Sequence, residues 1–282
     1  MMNLVTLDAI RIAERVLRGL VLKTPLVSVG TLTTRSGNPI LLKAESLQAT
    51  GSFKVRGATF KLSRLTADEQ ARGVIAYFTG NHAQAVARAA RQLGVPVTVV
   101  MSPDVPERKV QATEQWGAAV VMAEPTSQAR RDLAERLARE RELTLIPPYD
   151  DADVITGQGT VGVEILEQTD EPPSAVCGER VRLPAASSSI ADAIKVQTLG
   201  DLAYPLIRRY VDDVVTVSER QILEAVVVAG VEAHLVLEPA GALALAAGLV
   251  YADHSSPASQ PVIALASGGN TTEDDLRHAL TN

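Results

Sequence analysis

Residues 74–101 read VIAYFTGNHAQAVARAARQLGVPVTVVM. A short apolar run, Val74–Phe78, is followed by Ala83, Val86, Ala87, Ala90 and Leu93 at helical spacing, and then by a second apolar run, Val95–Met101. Gly94 stops the helix and Pro103 bounds the second run, so the stretch reads strand, helix, strand with both strands buried. The same pattern continues C-terminally. Glu107–Trp116 is helical and ends at Gly117, Ala118–Ala123 is strand-like, and Ser127–Glu142 carries Ala129, Leu133, Leu137 and Ala138 on one helical stripe. Leu143–Ile146 closes the series. Alternation with links this short implies parallel βαβ units, right-handed crossovers and an α/β, doubly wound sheet.

Outside this stretch the pattern is less even. Gly159–Gln168 predicts a helix, Val214–Val217 a strand, Ser218–Ala229 a helix capped by Ser218, Ala240–Val250 a buried helix and Val262–Ala266 a last strand. Residues 171–189 are rich in Pro and Ser and read as a junction. The N-terminal segment, Met1–Leu17, is an amphipathic helix with Asp8, Arg11, Glu14 and Arg15, which lacks the apolar stretch of a signal peptide. A length of 282 residues, 46% hydrophobic, suits about two domains. The division expected is a small α/β domain over 73–150 and a larger, discontinuous one over 1–72 and 151–282. A single cysteine, Cys177, excludes a disulfide scaffold and fits a reducing compartment. With 33 acidic and 27 basic residues the net charge is −6, which argues against a nucleic-acid or anionic-membrane surface. No run reaches the ~20 apolar residues of a membrane span. The expectation is a soluble cytoplasmic enzyme.

Chemistry concentrates in three segments. In the first, ESLQATGSFKVRGA over 45–58, Thr50-Gly51-Ser52 signals a helix start and places Lys54 in the first turn. The positive end of the helix dipole disfavours an ammonium there and helps make the amine reactive. Taken alone, such a lysine is an ordinary surface residue. The run, however, resembles the cofactor-lysine signature of fold-type II pyridoxal-phosphate enzymes, in particular the serine/threonine dehydratase and serine racemase family. That resemblance implies that Lys54 binds pyridoxal 5′-phosphate covalently and that Phe53 packs on the pyridine face, with Ser52 near the substrate.

The second segment, FTGNHAQA over 78–85, lies where a strand end opens a helix, and backbone N–H groups at such a place can hold a carboxylate. It is similar to the family's Ser-Gly-Asn-His or Ala-Gly-Asn-His turn. The resemblance implies that Thr79, Gly80, Asn81 and His82 surround the substrate carboxylate and that Asn81 also touches the cofactor's 3′-oxygen. In racemizing relatives a serine at the position of Thr79 is the acid/base opposite the lysine. Thr79 keeps a hydroxyl, with rotamers narrowed by its β-branch. His82 reads most simply as a packing and hydrogen-bonding histidine.

The third segment, ASGGN over 266–270, follows the last strand and on its own is any turn. In the family its serine, here Ser267, bonds the pyridine nitrogen; a hydroxyl does not enforce a protonated ring, and the weaker electron sink favours β-elimination. LEPAGA over 237–242 resembles the family's Glu-Pro-(Ala/Thr)-Gly motif, which would put Glu238 beside the cofactor. Read from residues alone it is a helix start with Pro at the first position; both readings stand.

Further matches, such as Lys23-Thr24-Pro25-Leu26, Pro148-Tyr149-Asp150-Asp151 and ITGQGT over 155–160, keep the family's order from about residue 20 to 270. The resemblance implies the fold-type II architecture of tryptophan synthase β: two doubly wound open-sheet domains with the cofactor between them, the smaller one mobile, in a homodimer. It implies a β-eliminating ammonia-lyase that converts a serine- or threonine-like amino acid to a 2-oxo acid and ammonia. The alternatives are a serine or aspartate racemase, and a catalytically silent relative.

One family feature is missing. A Gly-rich loop that cradles the cofactor phosphate is expected after the strand beginning at Ser174-Ala175-Val176, but the sequence passes directly to CGERVRLP over 177–184, similar to a downstream part of the family. The divalent-cation ligands of racemase-type relatives would fall in the same gap, so no metal site is expected. Either the chain is a true deletion variant, or the natural protein carries a segment between Val176 and Cys177 that this sequence omits.

Overall fold

The computed structural model describes residues 5–32, 38–77, 80–169, 189–191, 199–255 and 261–281. In chain order its elements are α1 (Leu7–Leu17), β1 (Leu26–Ser28), β2 (Ile40–Lys43), α2 (Lys54–Ser63), α3 (Ala67–Arg72), β3 (Val74–Tyr77) and α4 (Asn81–Leu93). There follow β4 (Val97–Met101), α5 (Glu107–Gln115), β5 (Ala119–Met122), α6 (Ser127–Glu140), β6 (Thr144–Ile146) and α7 (Ala152–Gln168). The last are α8 (Ala203–Tyr210), α9 (Glu219–Glu232), α10 (Pro239–Ser255), β7 (Val262–Leu265) and α11 (Glu273–Thr281). The chain divides into two compact units, Met1–Val21 with Lys54–Val163, and Leu22–Phe53 with Glu164–Asn282.

The first unit is built on a parallel sheet of order β5-β4-β3-β6, with Val74 opposite both Val97 and Thr144. Its inner strands, VIAY and VTVVM, are mostly apolar because both faces are covered. On one face Ala83, Val86, Ala87 and Ala90 of α4 meet Val74, Ala76, Val97 and Val99. On the other, Ala134 and Leu137 of α6 meet Ile75 and Val100. The small side chains of α4 let α2 approach closely, and Val55, Ala58 and Leu62 join the same core. The first unit thus holds α2 and most of α7 together with the four-stranded sheet. Helix α7 starts seven residues before its predicted beginning. The Asp151 carboxylate accepts the N–H groups of Asp153 and Val154 at 2.9 and 3.0 Å, which caps the helix there.

The second unit holds a three-stranded sheet in which β2 is central, antiparallel to β1 and parallel to β7. Leu42, Ala264, Val226, Ala229, Leu237 and Leu245 form its core. Helix α9 begins on a reciprocal cap, with Ser218 and Gln221 each bonding the other's backbone N–H. A polar cluster lies at the end of β2. Lys43 Nζ donates to Thr24 O at 2.7 Å, to Glu164 at 2.6 Å and to Gln168 at 2.9 Å. Thr24 Oγ1 donates to the fully buried Glu45, and Gln48 Nε2 donates to Glu45 and to Leu22 O. The loop after β2 is thereby held by hydrogen bonds as well as by the buried Ala44.

One predicted element is overturned. Val214–Val217 form no strand, and Val214 and Val215 are 64% and 43% exposed. Their apolar, β-branched spelling favours extended backbone, but a strand requires a ladder of hydrogen bonds, and this segment belongs to neither described sheet. Among the described residues no helix is long and apolar enough to cross a membrane. The junction expected over 171–189 and the Val176–Cys177 break lie outside the described residues, apart from Ser189.

Candidate active site

In the first unit, Lys54 opens α2 and its Nζ donates to Pro148 O at 2.9 Å. Its side chain keeps some solvent contact, but burial lowers the amine from 10.5 to about 8. About a tenth of the amine is therefore neutral at pH 7, far more than for an ordinary lysine, and the cause is loss of water around the charge.

Gly80 caps α4 with φ 85 and ψ −128, a conformation closed to side-chain-bearing residues, and Asn81 is the helix's first residue. The N–H groups of that first turn have no partner within the helix. Thr79 and Phe78 lie outside the described residues. His82 is 1% exposed; its Nε2 is 3.1 Å from Ile146 O, and its Nδ1 is buried without a partner among the described residues. A carbonyl only accepts, so Nε2 carries the proton and Nδ1 holds a lone pair. Burial, together with the charge of Lys54, lowers the imidazole from 6.5 to about 3, against the opposing effect of the Ile146 bond. His82 is neutral at ordinary pH.

The second unit brings together three segments that are remote in sequence. Ser52 and Gly268 form an antiparallel bridge, Phe53 N–H donates to Ser267 O at 3.1 Å, and Gly269 N–H donates to Gly51 O at 2.8 Å. Asn270 Nδ2 donates to Thr50 O at 2.7 Å. Glu238, 5% exposed, donates its N–H to Gly268 O at 3.1 Å. Gly241 lies so close that a Cβ there would stand 2.0 Å from Gly268 O. Ser52, Phe53, Glu238 and Ser267 thus share one backbone-stitched cluster. Within it the hydroxyls of Ser52 and Thr50 are buried with no hydrogen-bond partner among the described residues. Buried polar groups are normally satisfied, so this cluster retains capacity for a polar ligand.

Sequence reading missed the acceptors. Pro148 O and Ile146 O are backbone atoms, and the only signal for them is the Pro147-Pro148 pair, which carries no N–H and ends β6. It also missed Thr50 and Asn270, whose contact spans nearly the whole chain. Among the described residues there is no group of three or more His, Cys, Asp or Glu able to hold a metal. In the first unit a partly deprotonated amine on a helix start suits attack on an aldehyde; in the second, a cluster with buried hydroxyls suits a polar ligand.

Known proteins agree with this chemistry. The model of a family described as pyridoxal-phosphate dependent enzyme matches residues 17–179 and 174–268. The chain is 36% identical over 283 residues to L-threo-3-hydroxyaspartate ammonia-lyase of a Pseudomonas species, covering 85% of this chain and 88% of the relative. It is 33% identical over 307 residues to L-threonine ammonia-lyase of Thermotoga maritima, covering 95% of this chain and 76% of the relative. The structure of maize serine racemase superposes with a TM-score of 0.89 at 29% identity, covering 97% of this chain and 96% of the other. The Pseudomonas alignment is longer than the 85% of this chain that it covers, leaving about 40 positions without a counterpart here, more than one βαβ unit of roughly 30 residues. The two family matches meet at residues 174–179, where the Gly-rich loop was expected.

Proposed function

Because this chain belongs to the pyridoxal-phosphate dependent enzymes, we propose that it is an ammonia-lyase that removes water and then ammonia from a β-hydroxy amino acid of the serine or threonine type, yielding a 2-oxo acid. The observation that carries the reading is the Lys54 amine, partly deprotonated near neutral pH and held on a carbonyl at the start of α2. Pyridoxal phosphate, when bound, supplies a sink for the electron pair left after α-proton removal. Neutral Lys54 Nζ takes that proton. The first turn of α4, with Gly80 and Asn81, orients the substrate carboxylate, and Ser52 adds a hydroxyl that has no partner among the described residues. With the cofactor bound, Asn81 would hold its 3′-oxygen, Phe53 would cover one ring face, Glu238 would line the same place and Ser267 would accept or donate at the ring nitrogen without enforcing its protonation. We assign the small domain to 73–150, the large domain to 1–72 and 151–282, and the enzyme to the cytoplasm as a homodimer.

The test is optical. Purified chain given pyridoxal phosphate should turn yellow, bleach with borohydride, and release 2-oxo acid from L-threonine, L-serine or L-threo-3-hydroxyaspartate. Lys54→Ala should lose both colour and turnover. Full turnover by that variant would sink the assignment. The likeness to maize serine racemase favours a second activity, racemization through Thr79. A colourless protein would favour a silent relative, and the intact mass explains it: 29.9 kDa means a true deletion at Val176–Cys177, and several kDa more means an omitted segment.

A further inference from the structure

The stretch from Ile146 to Asp153 is tied to α2 and α4 at three places. His82 Nε2 donates to Ile146 O at 3.1 Å, Lys54 Nζ donates to Pro148 O at 2.9 Å, and Lys61 Nζ pairs with Asp151 at 2.9 Å and Asp153 at 3.1 Å. Lys54 and Lys61 are seven residues apart on one helix and so share a face. Ile146 ends β6, an edge strand, and the following Pro147 and Pro148 bring no N–H of their own, which leaves two carbonyls to side-chain donors. Asp150, at φ 58, turns the chain so that the Asp151 carboxylate both caps α7 and reaches Lys61.

We propose that this stretch is a dock for the Lys54 amine: the Pro148 carbonyl holds Nζ whenever it is not bound to the cofactor, and His82 is the positioning residue that fixes the dock. The inference rests on Lys54 being the cofactor lysine. A reaction of this kind frees the lysine in every turnover, and a side chain with four rotatable bonds needs a fixed acceptor to return in one arrangement. His82 suits the role. It is fully enclosed and uncharged, and its one proton is committed to the carbonyl two residues before Pro148. An apolar side chain could fill the same space but would leave Ile146 O unbonded.

The experiment needs no cofactor. In the full chain stripped of pyridoxal phosphate, competitive acetylation across pH, read by mass spectrometry at the Lys54 peptide, reports the amine's titration midpoint. The wild-type midpoint should lie near 8. In His82→Leu, water reaching a loosened dock should move it up by about one unit, roughly a tenfold loss of neutral amine at pH 7. His82→Gln, which keeps a donor, should stay within about threefold of wild type. Should His82→Leu fail to fold, Lys61→Met at the far anchor should give a smaller shift in the same direction. Folded His82→Leu and Lys61→Met proteins with wild-type midpoints would overturn the dock, and a glutamine variant that behaves like leucine would overturn the role of His82. Because the readout is taken without cofactor, it does not depend on whether the chain turns yellow: loss of colour and turnover in Lys54→Ala tests the cofactor lysine, and the labelling midpoint tests the dock.

Discussion

Lys43 and Glu164 meet at 2.6 Å with their side chains 0% and 8% exposed. Desolvating two charges is costly, and this pair is offset by the further bonds of Lys43 to Thr24 O and Gln168. Removing one partner strands the other. Lys43→Met should lower unfolding stability by about 3–5 kcal/mol, and the double variant Lys43→Met/Glu164→Leu should recover much of that loss. Urea titration of the three proteins decides it; additive losses would mean that the pair is not coupled.

Gly241 makes a sharper steric prediction. A Cβ 2.0 Å from Gly268 O must push the backbone of the 266–270 turn, so Gly241→Ala should cost about 1–3 kcal/mol and weaken cofactor binding about tenfold or more. Gly248 is the control on the same helix, since its nearest contact would be an ordinary 3.4 Å. Gly248→Ala should be neutral or slightly stabilising, with unchanged cofactor titration.

His82 sets a pH window. Its folded value of about 3 lies below the ordinary 6.5, so between those limits the unfolded chain binds one more proton than the folded one. Its contribution to stability is complete above pH 6.5 and is lost as pH falls toward 3, at about 1.4 kcal/mol per pH unit within the window. His82→Gln should remove that slope. Denaturant titrations at pH 7, 6, 5 and 4 measure it, and an equal slope in the variant would assign the acid lability to other groups.

Thr79 separates elimination from racemization. Racemization needs a proton donor on the face opposite Lys54, whereas elimination from an L-substrate needs one base. Thr79→Ala should leave L-serine elimination largely intact and lower D-serine formation and D-substrate elimination by about 10²–10⁴-fold. An equal fall for both enantiomers would make Thr79 a carboxylate-turn residue only. Elimination is expected to dominate in the wild type.

The four-stranded sheet was legible because its signals are local. Val74–Tyr77, Val97–Met101 and the helix ending at Gly94 follow from runs and punctuation within a dozen residues. Ser218 was readable as a cap for the same reason. The wrong strand at Val214–Val217 marks the limit, because local spelling does not supply a ladder partner. In the site, side chains that carry chemistry could be named from motifs, but their partners could not. Pro148 O and Ile146 O are atoms every residue has, and the Ser52–Gly268 bridge joins segments that periodicity treats as unrelated. Burial, which lowers the Lys54 amine, is likewise a property of the assembled core rather than of the letters around it.

The pairing of Ile40–Lys43 with Val262–Leu265 has a consequence for biosynthesis. A ribosome emits Ile40 about 220 residues before its partner Val262. Over that interval β2 has a neighbour on one side and an open row of amides and carbonyls on the other, the configuration that invites pairing with a foreign strand. Residues 54–163, by contrast, are continuous and can condense while synthesis proceeds. Chains interrupted before Val262 should therefore carry one finished half and one sticky half, making them preferred clients of chaperones and proteases, and nonsense mutations near the C-terminus should yield aggregates rather than weakened enzyme.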